Sequence, residues 1–288
     1  MSSENPKQSG SLYLVATPIG NLEDITLRAL RLLNEVDLIA CEDTRHTQKL
    51  LNHFNISKPT TSYHEHNELT RAKELTAQML AGTNIALVTD AGMPGISDPG
   101  FRLISEAIRQ QVPVIPVPGP SAFLSALAAC GLPSGSFCFA GFLPAKRGER
   151  RSVLQALRGA SQTQAFYEAP HRILETLQDI VEVLGAERKI VVARELTKMH
   201  EEFLRGTASE ILQQLKSREV VKGEITLLIA KAESAADLAK DFPSGIRQRL
   251  EQIMVEEGME EKSALKKVAK ERGISKSEAY RELQRARQ

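Results

Sequence analysis

The first 120 residues alternate between short, nearly continuous apolar runs and longer segments whose apolar residues recur with a helical period. Runs at Leu12–Ala16, Val36–Cys41, Thr60–Tyr63, Ile85–Thr89 and Val112–Val117 predict strands, with helices between them at Leu22–Leu33, Thr44–Phe54, Glu68–Leu80 and Phe101–Gln110. Strands apolar on both faces and joined by helices of this length predict a parallel sheet covered on both sides. Thr26 and either Asp43 or Thr44 suit N-cap positions, and the Gly82-Thr83-Asn84 tract ends the third helix. A Pro/Gly cluster at Pro116–Ser121 breaks the alternation before a helical Ala122–Cys130.

Beyond it the pattern is less regular. Strands are predicted at Phe137–Gly141, Gln164–Glu168, Lys189–Arg194 and Ile225–Ala230, and helices at Arg150–Leu157, Arg172–Leu184 and Ala208–Leu215. That mixture predicts an α+β domain with a mixed sheet. After Ala232 the chain turns polar and then helical. Leu265, Val268, Ala269, Ile274, Ala279 and Leu283 supply the core of a helix-turn-helix, with Gly273 as C-cap and Ser275 as N-cap. The expected organisation is an α/β domain over residues 11–120, an α+β domain over 121–232, and a helical appendage over 241–288.

Composition narrows the class. At 288 residues, with 42% hydrophobic and 25% charged residues, the chain fits a soluble protein large enough for two domains. The polar start is expected to be neither a signal peptide nor an anchor, and no run reaches the roughly 20 apolar residues of a membrane span. Cys41, Cys130 and Cys138 are odd in number and lack CxxC spacing, which predicts buried thiols in a reducing cytoplasm. Net charge is only +1, so any affinity for nucleic acid depends on where charge is placed. Lys262–Gln288 holds nine Lys/Arg against three Glu, a local balance of +6 that favours nucleic acid.

Candidate chemistry clusters after the predicted strands. Thr17-Pro18-Ile19-Gly20-Asn21 follows the first and Asp90-Ala91-Gly92-Met93-Pro94-Gly95 the fourth. Neither has nucleotide-fingerprint spacing, and neither carries a cation for phosphates, so an uncharged or zwitterionic adenosine compound fits better than a triphosphate. Glu42-Asp43-Thr44-Arg45-His46 ends the second strand; Arg45 could address phosphate and a carboxylate orient a hydroxyl, or the segment could be a capped helix with a local ion pair. Ser62–Asn67 carries His64 and His66, but no further ligands stand at metal-site spacing, so no metal is expected. Lys146, Arg147, Arg150 and Arg151 form a basic loop able to hold phosphates, or a plain charged surface. Phe166–Arg172 can present an aromatic face and a carboxylate towards the interdomain cleft, and Arg194–Lys198 can add another polar edge there.

Thr17–Asn21, Glu42–Arg45, Asp90–Gly92, Ser97–Gly100, Pro118–Ser121, Gly141–Pro144, Phe166–Glu168 and Arg194–Thr197 together resemble the ribosomal RNA methyltransferase branch of the tetrapyrrole methylase superfamily. The likeness covers about residues 11 to 231. It implies a two-domain fold, S-adenosylmethionine in the cleft between the domains, and a homodimer. The implied reaction is 2′-O-methylation of cytidine 1402 of 16S ribosomal RNA (Escherichia coli rRNA numbering), with the RNA presented in the 30S subunit. Carried onto this chain, the cofactor contacts are Pro18, Asp90, Gly92, Met93, Pro94, Ile96 and Ser121. Glu42, Asp43, Arg45 and His64 are candidates for the hydroxyl side. The tetrapyrrole-modifying members have a GxGxGD-like first turn and a GDP-like second turn. Departure from both favours RNA over a corrin or porphyrin carbon, while a non-catalytic RNA-binding protein is the reading from another class.

Overall fold

The computed structural model describes residues 9–232, 246–271 and 276–286. The chain divides into two compact units at Lys231/Ala232. The larger holds two five-stranded sheets, so the two expected domains pack as one body.

The first sheet has β1 (Leu12–Val15), β2 (Leu38–Cys41), β3 (Thr60–Ser62), β4 (Ile85–Val88) and β5 (Val114–Val117), all parallel, in the order β3-β2-β4-β1-β5. Helices α1 (Leu27–Glu35), α2 (Thr44–His53), α3 (Glu68–Leu80) and α4 (Phe101–Arg109) connect them. Alternation of side chains along each strand assigns the faces. Val15, Ile39, Ala86 and Val88 meet Leu32 and Leu33 of α1 and Leu51 of α2, while Leu12, Leu14, Ala40, Ile85 and Leu87 meet Leu75, Met79 and Leu103 of α3 and α4. The predicted Leu22–Leu33 helix is split by a 3-10 turn at Leu22–Asp24, because the Thr26 hydroxyl caps a new start by accepting from the Ala29 amide. The Tyr63 hydroxyl, its pKa raised to about 12 by burial, accepts from the Leu103 amide and fixes the start of α4.

Helix α5 (Ala122–Ala129) leads to the second sheet: β6 (Phe137–Phe142), β7 (Thr163–Glu168), β8 (Lys189–Arg194), β9 (Glu202–Thr207) and β10 (Ile225–Ile229), ordered β6-β7-β10-β8-β9. Only β6 and β7 pair in parallel. Helices α6 (Arg147–Ala156), α7 (Ile173–Leu184) and α8 (Ala208–Lys216) cover its outer face through Phe166, Ile190, Val192, Leu227 and Ile229. On the inner face Ala165, Val191, Ala193 and Leu228 meet α5 and Ile19 of the first turn. Strand β9 was not expected, since its charges and glycine dilute the apolar signal. It holds through six paired positions on β8, Lys189↔Thr207 to Arg194↔Glu202. Cys138 corrects a second expectation: Cys41 and Cys130 are buried, but Cys138 is exposed because β6 is an edge strand.

The smaller unit contains α9 (Ile246–Glu257), α10 (Glu261–Glu271) and α11 (Lys276–Arg285), packed around Leu250, Ile253, Leu265, Val268, Ala279 and Leu283. Ile274 and the expected caps Gly273 and Ser275 lie outside the described residues.

Candidate active site

The loops after β1 and β4 leave neighbouring parallel strands at their carboxyl ends, where open α/β sheets bind ligands. They are tied to each other: the Thr17 amide donates to the Gly92 carbonyl at 2.9 Å, and the Gly92 amide returns to the Thr17 carbonyl at 3.0 Å. Gly92 sits at φ +86°, a left-handed conformation that side chains resist. Gly20 serves close approach instead, since a Cβ there would lie 2.4 Å from Lys198 Cγ and 3.0 Å from the Leu196 carbonyl. The first turn thereby rests on the loop after β8 and sets the two sheets around a cleft.

That cleft has a volume of about 380 Å³, within the range of small-molecule sites. Ile19, Met93, Ile96 and Leu196 give it apolar walls, and Phe123, Phe142 and Tyr167 give it aromatic ones. Tyr167 and Thr226 point inward because their strand neighbours Phe166 and Leu227 face the outer core. No Lys or Arg stands among the described lining residues; the acidic ones include Asp98. Burial, then the Glu42 and Asp90 carboxylates, push Asp98 up to about 7. Glu42 is raised as well, first by burial and then by Asp90, with His64 working in the opposite sense. Three carboxylates, one after β2 and two from the loop after β4, are therefore held close in low dielectric, and a cation entering the cleft relieves them. His64 Nδ1 adds a buried polar atom without a protein partner, while its Nε2 lies 3.2 Å from Asn67 Nδ2.

Of the expected cofactor residues, Gly92, Met93, Ile96 and Ser121 line the cleft. Pro18 and Asp90 line a smaller cavity of about 140 Å³ beside His46, Thr47 and Lys49, and Pro94 is buried outside both sets. Asp90 Oδ1 accepts from the Asp43 amide at 3.3 Å, bracing β4 against β2. Asp43 caps α2 by accepting from the Arg45 amide at 2.8 Å and pairs with the Arg45 guanidinium, whose hydrogen bonds hold the carboxyl down at about 2. Arg45 is 88% exposed, so the capped-helix reading describes this pair and leaves the guanidinium at the rim. The cations of the basic loop are engaged in ion pairs within the body. Arg147, Arg150 and Arg151 converge on the fully buried Asp179, with Glu182 taking further contacts from Arg147 and Arg151, and Lys146 pairs with Glu149.

The aromatic face and carboxylate expected from Phe166–Arg172 are Tyr167 and Glu168, both of which line the cleft, whereas Asp98, Phe123 and Thr226 were not selected as site residues. Asp98 lies in the Ser97–Gly100 motif, where Ser97 takes φ +61°, and Thr226 is the one polar residue of an otherwise apolar strand. Glu168, which also lines the cleft, is structural: it accepts from Arg172 Nε at 2.9 Å, Thr176 Oγ1 at 2.7 Å and the Ala169 amide at 2.8 Å.

The acidic, aromatic-walled cleft at the carboxyl ends of a parallel sheet, closed by a mixed second sheet, belongs to a methyltransferase of the tetrapyrrole-methylase class, as the family match over most of the body shows. The family model of tetrapyrrole (corrin/porphyrin) methylases matches residues 11–212. The solved uroporphyrin-III-C-methyltransferase from Thermus thermophilus shares the fold with a TM-score of 0.56 at 20% identity, over 77% of this chain and 94% of that one. Ribosomal RNA small subunit methyltransferase I of Halalkalibacterium halodurans is 45% identical over 281 residues, 97% of this chain and 96% of the relative. Its counterpart in Thermotoga maritima is 47% identical over 224 residues, 78% of this chain and 100% of the relative. The chain belongs to the ribosomal RNA small subunit methyltransferase I family, and S-adenosylmethionine is its cofactor.

The cleft fits that group. Aromatic and apolar walls suit an adenosine, and the carboxylate cluster around Asp98 suits its positive charges. Among the described residues no helix is long and apolar enough to cross a membrane.

Proposed function

We propose that the chain methylates the ribose 2′-hydroxyl of cytidine 1402 in 16S ribosomal RNA (Escherichia coli rRNA numbering), acting on the 30S subunit in the cytoplasm. The observation that carries this reading is 45% identity along 97% of the chain to a protein named for small-subunit ribosomal RNA. When bound, S-adenosylmethionine supplies an electrophilic methyl group. The chain's part is to place a ribose oxygen in line with it and to receive the proton that the hydroxyl loses. Glu42 and His64 flank Asp98 at the ends of β2 and β3 and supply acceptors there. Asp98 compensates positive charge, and Arg45 at the rim meets phosphate. Arg45→Ala is expected to lower RNA turnover about tenfold with S-adenosylmethionine affinity unchanged; an equal loss in both would remove Arg45 from the RNA side.

The protein acts as a homodimer in this reading. Phe101 and Ile108, one heptad apart on α4, are 73% and 61% exposed, and Phe142 on the edge strand β6 is 57% exposed. Apolar surface of this kind suits a second copy. Light scattering of Phe101→Asp/Ile108→Asp against the native chain tests the α4 face, with a native dimer and a monomeric variant expected.

The deciding experiment offers labelled S-adenosylmethionine with 30S subunits, naked 16S RNA or a tetrapyrrole, and then maps the methyl group. Label on the ribose of cytidine 1402 is expected. Transfer to the tetrapyrrole, or RNA binding without transfer, would overturn the reading.

A further inference from the structure

The family model ends at residue 212, and the Thermotoga maritima relative is matched along its whole length by 224 residues of this chain. The smaller helical unit is thus an addition to the methyltransferase body. Charge is distributed unevenly along the chain. The +6 balance over Lys262–Gln288 is offset by −5 over residues 232–261, and Met1–Lys231 carries no net charge. Within the body, the cations of the densest basic loop are already ion-paired with Asp179, Glu182 and Glu149. A polyanionic substrate therefore meets a body without net positive charge and with a carboxylate-rich cleft, and the attraction has to come from elsewhere.

Helix α11 presents the required surface. Its apolar positions Ala279 and Leu283 are consumed by the unit's own core, leaving no apolar stripe for a protein groove. Lys276, Tyr280, Arg281 and Arg285 are exposed, with Tyr280 at 56%. Lys276 and Tyr280, like Arg281 and Arg285, are spaced i,i+4, so each pair shares one side of the helix. Cations beside an exposed aromatic ring are the combination that binds RNA, since cations take phosphates and a ring stacks on an unpaired base.

We propose that this unit is an RNA-docking module, which grips folded ribosomal RNA through Lys276, Tyr280, Arg281 and Arg285 of α11. The proposal rests on the RNA-substrate reading above and adds where the RNA is held. Its binding is electrostatic and without strong sequence preference, because one short helix carries few groups able to read bases.

The test uses the full chain and its K276A/R281A/R285A and Tyr280→Ala variants, with unchanged helicity and S-adenosylmethionine affinity as fold controls. Affinity for naked 16S RNA is measured across a salt series, and KM for 30S subunits in parallel. Each lost phosphate contact should flatten the slope of log K against log salt by about 0.7 to 0.9. The triple variant should therefore flatten it by roughly 2 to 3 and weaken binding at least tenfold, with a matching rise in KM. Tyr280→Ala should weaken binding with little change in slope, and Tyr280→Phe should restore it. Native affinity and slope in the triple variant would overturn the proposal, as would a rise in KM without loss of naked-RNA binding, which assigns the face to a ribosomal protein. Loss of RNA binding in the variants of a chain that methylates no RNA would instead reject the proposed reaction and leave the docking surface standing.

Discussion

Asp98 concentrates the chemistry of the cleft in one residue. Its carboxyl stands near 7 instead of 3.8 because burial and two neighbouring carboxylates penalise its charge. The folded chain therefore keeps a proton that the unfolded chain releases near pH 4. The contribution to stability falls as pH rises from about 4 towards about 7. A cationic ligand reverses the preference by favouring the ionised form. Calorimetry should show S-adenosylmethionine affinity rising with pH to a plateau above about 7, with proton release below it. Asp98→Asn should weaken binding at least tenfold, about 1.4 kcal/mol, and flatten the pH profile. A profile as steep as the native one in that variant would mean that another group titrates. Gly92→Ala is a simpler case: no atom lies nearer than 3.7 Å to a new Cβ, so the cost is the left-handed backbone, about 1 to 2 kcal/mol in urea unfolding.

At the scale of elements, α6 and α7 are joined by charge as well as by packing. Asp179 is fully buried and receives Arg147 Nε at 3.0 Å and Arg150 Nε at 2.9 Å. Burial pushes its carboxyl up, but the hydrogen bonds from Arg147, Arg150 and Arg151 outweigh this and leave it lowered. Removing the carboxylate strands the Arg150 guanidinium, only 1% exposed. Asp179→Ala should cost about 3 to 5 kcal/mol in urea unfolding, while Glu149→Ala at the exposed end of the loop should cost well under 1 kcal/mol. Comparable losses in the two would mean that the arginines are solvated. Strand β9 is secured in a related way: hydrogen bonds from Arg218, opposed by burial and aided by Arg194, hold Glu202 down at about 2.

For the whole molecule, the division at Lys231/Ala232 has a thermodynamic consequence. S-adenosylmethionine at 100 times its Kd stabilises the unit that binds it by about 2.7 kcal/mol. Scanning calorimetry should resolve two transitions and show the ligand raising only that of the larger unit. A single transition moving as a whole would show that the units unfold together. The cleft depends on both sheets, because the Thr17–Asn21 turn rests on the loop after β8. Gly20→Val should therefore lower cofactor affinity although no atom of Gly20 lines the cleft.

The sequence by itself determined the order and type of nearly every element and the two faces of the parallel sheet. These depend on the period of apolar positions and on local caps such as Thr26 and Asp43, and both are written in neighbouring residues. It also marked Gly92, Met93, Ile96 and Ser121, whose motifs survive as contiguous words. Only the tertiary structure decided which charges count. Asp98 gains its character from burial and from Glu42 at the end of β2, with Asp90 of its own loop adding to it, and the basic loop loses its own to Asp179, about 30 residues downstream. Strand β9 and the exposed Cys138 likewise follow from where an edge falls in the sheet. Burial and charge pairing are set by residues distant along the chain, and no local pattern encodes them.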